Sequence, residues 1–167
     1  MRKFIEKAIG GAKGTSYHVD DNITTWQLFS IAVKRFWMLF RGFFKKAVFK
    51  KSGKRIFIGK RVKIRFGKKI QLGNTITLND NCYINALCKK GIVIGNNFTL
   101  GKNSIIDCTG VLTQMGESLV IGDNVGISPN FVMFVRGAIS IGNDVIIGPN
   151  VTIVSENHCF EEKKCYD

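Results

Sequence analysis

Ile141-Gly142-Asn143-Asp144-Val145-Ile146, Ile147-Gly148-Pro149-Asn150-Val151-Thr152 and Ile153-Val154-Ser155-Glu156-Asn157-His158 are three consecutive six-residue units, each opened by isoleucine. A short internal repeat of this kind marks a solenoid, in which three units make one turn of a prism. The aliphatic residue at the first position points inward and stacks on its counterparts above and below. Gly, Asn and Asp supply the corner conformations that β-branched residues resist. Each coil then buries its face only against its neighbours.

Working outward, the same aliphatic-Gly step opens turns at Ile58-Gly59, Leu72-Gly73, Ile94-Gly95 and Ile121-Gly122. Further units open at Ile64, Leu78, Ile84, Leu100, Ile106, Ile127 and Met133. At least four turns follow, and the fold class is all-β, a parallel β-helix. The turn openings are spaced 14, 22, 27 and 20 residues apart rather than by a uniform 18, so the irregularity falls on particular sides or corners. Residues 107–119 are expected to form an extruded loop.

The chain has 167 residues, 45% of them hydrophobic, enough for one ordinary core. Its 18 glycines against 2 prolines suit many tight corners in a turn-rich β protein. Cys82, Cys88, Cys108, Cys159 and Cys165 are odd in number and lack paired CxxC spacing, and no apolar secretory signal opens the chain. A reducing, cytoplasmic setting is expected, with Cys82 as a small buried hydrophobe and no metal site.

The net charge of +13 is unevenly placed: residues 1–70 carry 19 Lys/Arg against 3 Asp/Glu, and residues 71–167 carry 6 against 9. Such clustering calls for an anionic neighbour, either phospholipid or nucleic acid. Residues 1–50 form a basic N-terminal segment. Within it His18-Val19-Asp20-Asp21-Asn22 offers helix-initiating acceptors, so that a helix begins near Thr24. From Trp26 to Phe49, aromatic and aliphatic residues alternate with Lys34, Arg35, Arg41, Lys45 and Lys46 without proline, which reads as an amphipathic basic helix. Lys34 and Arg35 interrupt its apolar run well short of the roughly 18 residues a bilayer span needs. It is expected to lie on an anionic membrane, with aromatics at head-group depth and cations on lipid phosphates, or to pack on the domain or a subunit. Nucleic acid is not expected, because the cations sit among large apolar residues with no recognised module.

The segment from Ile141 through His158-Cys159-Phe160 resembles the active-site coil of the hexapeptide-repeat acyltransferases, particularly the galactoside and maltose acetyltransferase group. The likeness covers about residues 54–160 and implies a left-handed β-helix. It further implies an acetyl-CoA-dependent O-acetyltransferase, a homotrimer with sites between subunits, and His158 as the base that takes the proton from an acceptor hydroxyl. The chemistry asks for such a group independently, because a sugar hydroxyl is a poor nucleophile at neutral pH and a base of near-ambient pKa is worth about 10²–10⁴ in rate. His18 lies in a polar segment with no matching motif.

A base also needs its second ring nitrogen held by an acceptor. Glu156, two residues away, is the candidate, with backbone carbonyls or a carboxylate beyond Asp167 as alternatives. Thirty residues before the histidine, where the galactoside and maltose enzymes have an acceptor-binding asparagine, this chain has Ser128, with Asn130 two places on. Ser128 either donates to substrate or satisfies local backbone. Arg136, on the side before the catalytic coil, suits an anionic acceptor or the coenzyme phosphates.

Family members continue past this histidine through further coils, whereas this chain stops at Asp167. A solenoid over 54–167 truncated at its C-terminal end is therefore expected. The resulting expectation is acetyl transfer from acetyl-CoA to a sugar hydroxyl of a lipid-linked or surface polysaccharide precursor, by a protein peripheral at the inner face of the cell membrane. The alternative is a noncatalytic β-solenoid scaffold or binding protein at that surface.

Overall fold

The computed structural model describes residues 18–109, 113 and 115–156. Within them, three parallel sheets of five strands each wind as a left-handed β-helix of five coils, preceded by one helix. The first face stacks Lys51–Ser52, Ile70–Leu72, Cys88–Ile94, Gly116–Ile121 and Ile139–Ile141. The second stacks Ile56–Ile58, Ile76–Leu78, Thr99–Leu100, Gly126–Ile127 and Ile146–Ile147. The third stacks Lys63–Arg65, Tyr83–Asn85, Ile105–Asp107, Val132–Phe134 and Thr152–Val154.

Register carries the six-residue pattern directly into the core. Ile58, Leu78, Leu100, Ile127 and Ile147 align in one column, and Ile64, Ile84, Ile106, Met133 and Ile153 in another. Leu78, Leu100, Ile106 and Met133 are fully buried, and each such side chain contributes about 1.5–3 kcal/mol of burial. Cys82 is buried as expected, its thiol on the Gly101 carbonyl at 3.0 Å. In the fifth coil, Ile141, Val145, Ile147 and Ile153 are only partly buried, because no described residue stacks on that side.

The register corrects one interval. Ile58 pairs with Leu78 on the second face, whereas the partner of Leu72 on the first face is Ser52. The interval of 14 was therefore a change of face, and the first-face positions 52, 72, 94, 121 and 141 are spaced by 20, 22, 27 and 20. All irregularity falls on the return side, from third face to first. Ile64 to Leu72 takes 8 residues and Met133 to Ile141 also 8, but Ile84 to Ile94 takes 10 and Ile106 to Ile121 takes 15. The excess within 107–119 is shorter than a loop over the whole span, since Gly116–Ile121 is already strand, with a register shift between Gly116 and Ser118.

The corner chemistry also divides differently from the sequence expectation. The left-handed conformation is taken by Asn81, Asn97, Asn103, Asn124, Asn130, Asp144 and Asn150, and in the first coils by Arg55, Arg61, Phe66 and Thr75. Where a described coil stacks next, the glycine of the aliphatic-Gly step serves instead for close approach: a Cβ on Gly73 would stand 2.6 Å from the Gly95 carbonyl oxygen of the next coil, whereas one on Gly142 or Gly148 in the fifth coil would meet nothing. Asparagine side chains tie the coils together in ladders, as where Asn103 donates to Asn130 and Asn130 to Asn150, each at 3.2 Å.

Helix α1 spans Thr25–Lys45, with Thr24 as its N-cap in a capping box with Gln27, one turn nearer than the polar 18–22 stretch. It lies across the first coil, burying Leu28, Met38 and Gly42. Its cations turn inward: Arg41 Nε donates to the Ile58 carbonyl at 2.8 Å and Lys45 Nζ to the Val62 carbonyl at 2.9 Å. Arg35 donates to Thr77 Oγ1 at 3.3 Å. Open strand edges carry unpaired carbonyls, and here helix side chains satisfy two of them. No helix among the described residues is long and apolar enough to cross a membrane.

Candidate active site

The return corner of the last two coils brings together two of the residues singled out in the sequence. Arg136 follows the strand Val132–Phe134, Glu156 follows Thr152–Val154, and Arg136 Nε stands 3.4 Å from Glu156 Oε2. The guanidinium carbon is 5.7 Å from the centre of the Phe134 ring. The Arg136 side chain is 22% exposed and that of Glu156 44%. At that exposure the ion pair is worth about 1 kcal/mol or less, so an incoming anion or imidazole can compete with it. Arg136 Nη1 is buried without a hydrogen-bond partner among the described residues. Buried guanidinium nitrogens are normally satisfied.

Ser155, which the sequence reading left out, holds the corner in place. Its hydroxyl accepts from the Arg136 amide at 2.9 Å and lies 3.1 Å from the Gly137 carbonyl, to which it donates. Its backbone carbonyl accepts from Gly137 N at 2.9 Å. The preference of serine for turns that need local side-chain acceptors is the signal that could have found it. One coil earlier, Lys89 and Glu117 are ion-paired, and the lysine holds the Glu117 carboxyl below the usual range. Cys108, close enough to feel the Arg136 charge, is pushed well above the usual thiol range by its hydrogen bond to Cys88 and by burial, which makes it a poor nucleophile.

Ser128 and Asn130 sit at another corner, between the second and third faces. The Ser128 amide donates to the Ile147 carbonyl at 2.9 Å. Asn130, at φ 61°, is committed to the asparagine ladder on both sides. Within one chain, the fold thus places Arg136 with Glu156 and keeps Ser128 and Asn130 apart from them. His158 lies outside the described residues. Among the described residues no group of three His, Cys, Asp or Glu side chains could hold a metal ion.

No family model matches the sequence, and no curated protein matches it. Among solved structures, the chain is similar to a hexapeptide-repeat-containing acetyltransferase from Vibrio cholerae O1 biovar eltor, crystallised with acetyl-coenzyme A. The TM-score is 0.56 at 18% identity, over 89% of this chain and 88% of that one. A second crystal structure of the Vibrio cholerae acetyltransferase overlaps less well, with a TM-score of 0.41 at 14% identity over 72% of this chain and 84% of that chain. The chain therefore shares the solenoid fold of a hexapeptide-repeat acetyltransferase along nearly its whole length.

Proposed function

We propose that this protein transfers an acetyl group from acetyl-CoA to a sugar hydroxyl. The observation that carries the reading is a five-coil solenoid whose fifth coil runs into Glu156-Asn157-His158, on a fold shared over 89% of the chain with an acetyltransferase that was crystallised with acetyl-CoA. In the proposed step, His158 takes the proton of the hydroxyl as its oxygen attacks the thioester carbonyl. The C–S bond breaks and coenzyme A leaves as the thiol, receiving the proton from the imidazolium. Glu156 holds the imidazolium, and Arg136 meets a phosphate of the coenzyme or of the acceptor.

The acceptor class we favour is a lipid-linked or surface polysaccharide precursor. Sugars are carried to such polymers on phosphates, and Arg136, beside Glu156 at the candidate site, suits an anionic acceptor. We also propose a homotrimer. Ser128 and Asn130 occupy a different corner from Arg136 and Glu156, so a neighbouring copy is the simplest way to bring the two sets to one substrate.

The test is thiol release from acetyl-CoA with a panel of nucleotide-linked and lipid-linked sugars, comparing the wild type with His158→Ala. Turnover with the wild type and a loss of about 10²-fold or more in the variant is the expected outcome. No turnover with any acceptor would turn the reading toward a noncatalytic scaffold.

A further inference from the structure

The outward face of α1 is apolar along its whole length. Trp26 is 74% exposed, Phe36 61%, Trp37 51%, Phe43 70% and Phe44 64%. The rings form two groups on this stripe, Trp26 with Phe29 at 5.7 Å, and Phe36 to Phe44, where Trp37 and Phe40 centroids are 5.7 Å apart and Phe40 and Phe44 4.9 Å. An exposed apolar patch of this size on a monomer marks an interaction surface. A helix whose cations merely accompanied its aromatics would present both to the same partner. Here Arg41 and Lys45 are spent on the carbonyls of the first coil, and the exposed cations that face a partner come from that coil and from Lys34.

Lys50, Lys51, Lys54, Arg55, Lys60 and Arg61 are all exposed on the coil that α1 covers. Lys60 also joins Lys34, Arg41 and Trp37 in lining an open groove of about 570 Å³ between helix and solenoid, with Ser30, Val33 and Asp80. The one carboxylate there is already engaged, accepting from Lys60 N at 2.7 Å and standing 3.9 Å from Lys34 Nζ. An anion entering the groove meets Lys34 and Lys60 beside an indole, since Arg41 Nε is already on the Ile58 carbonyl. Aromatic side chains favour the head-group layer, and clustered cations favour anionic lipid, each contributing about 1 kcal/mol.

We infer that the α1 end of the solenoid docks on an anionic bilayer, the aromatic rings entering the head-group layer, the first-coil cations meeting the surrounding phosphates, and the groove at Lys34 and Lys60 taking one lipid head group. This goes beyond acetyl transfer and stands or falls without it. It sets the solenoid upright on the membrane, its α1 end down and its fifth coil farthest from the lipid.

The chain's only two tryptophans, Trp26 and Trp37, both lie on the stripe, so intrinsic fluorescence of the full chain reads this face alone. With phosphatidylglycerol-rich vesicles the emission should shift to the blue and the protein should sediment with the lipid, and both effects should fade at high salt. Lys54→Glu and Arg61→Glu, remote from the candidate active site, should each weaken vesicle binding at least roughly fivefold while leaving the circular dichroism unchanged. Phe40→Ser and Phe44→Ser should lower binding with the oligomeric state unaltered. Equal binding to pure phosphatidylcholine vesicles, or no shift with anionic ones, would overturn the inference. So would emission already blue without lipid that reddens on dilution, since a second copy would then cover the stripe.

Discussion

Gly73 shows how little space separates neighbouring coils. Alanine there would normally be an improvement, since glycine loses more backbone freedom on folding, but its Cβ would meet the Gly95 carbonyl, which cannot yield without breaking the ladder. Gly73→Ala should therefore cost about 1–3 kcal/mol, read as a drop in the thermal midpoint. Cys82 gives a pH-dependent counterpart. Burial pushes its thiol from 9.0 up to about 11, so the folded state holds the neutral form more tightly than the unfolded state does. Its contribution is complete below pH 9 and lost as pH rises from 9 through about 11. Native protein at pH 8 should leave Cys82 unalkylated by iodoacetamide, and labelling should appear on unfolding. At Arg136, the half-exposed pair with Glu156 should be worth little to stability. Arg136→Gln should shift the thermal midpoint only slightly, while raising KM for the substrate whose phosphate the guanidinium meets.

At the scale of the element, α1 is held by three different devices. The capping box at Thr24 and Gln27 defines its start, and Thr24→Ala should cost about 1 kcal/mol. Gly42 defines its closest approach, where a Cβ would fall within bonding distance of the Ile56 carbonyl oxygen. Gly42→Ala would gain about 1 kcal/mol of helix propensity yet force the helix off the first coil. The collision wins, and limited proteolysis should cut the variant between the helix and residue 50 faster than the wild type. Arg41 and Lys45 complete the attachment by occupying edge carbonyls, which explains why the cations face inward although the sequence alone suggested lipid phosphates for them.

The whole molecule is quasi-one-dimensional, each coil supported by its two neighbours. Ile106, fully buried in the third coil, and Ile153, partly buried in the fifth, belong to the same column. Ile106→Ala should cost about 2–5 kcal/mol. Ile153→Ala should cost well under half as much, a difference visible in paired urea melts. The charge gradient runs along the same axis, with the cations gathered at the α1 end, and gives the solenoid a polarity its uniform core lacks.

The six-residue period determined the solenoid and its inward residues, and the polar 18–22 stretch with the apolar and basic run after it determined the helix, because each is set by local pattern and by the burial it demands. The start of α1 near Thr24 and the burial of Cys82 were legible for the same reason. The face to which Ile58 belongs was not legible, since adjacent faces carry the same aliphatic-Gly step and only strand register tells them apart. Nor was the inward turn of Arg41 and Lys45, or the service of Ser155 beneath Arg136. Those depend on carbonyls and amides far along the chain that come within reach only when the coils stack. Local pattern names which residues are buried; the partners that satisfy their polar neighbours are chosen by tertiary structure, because hydrogen bonds are decided by distance in space and not by distance along the chain.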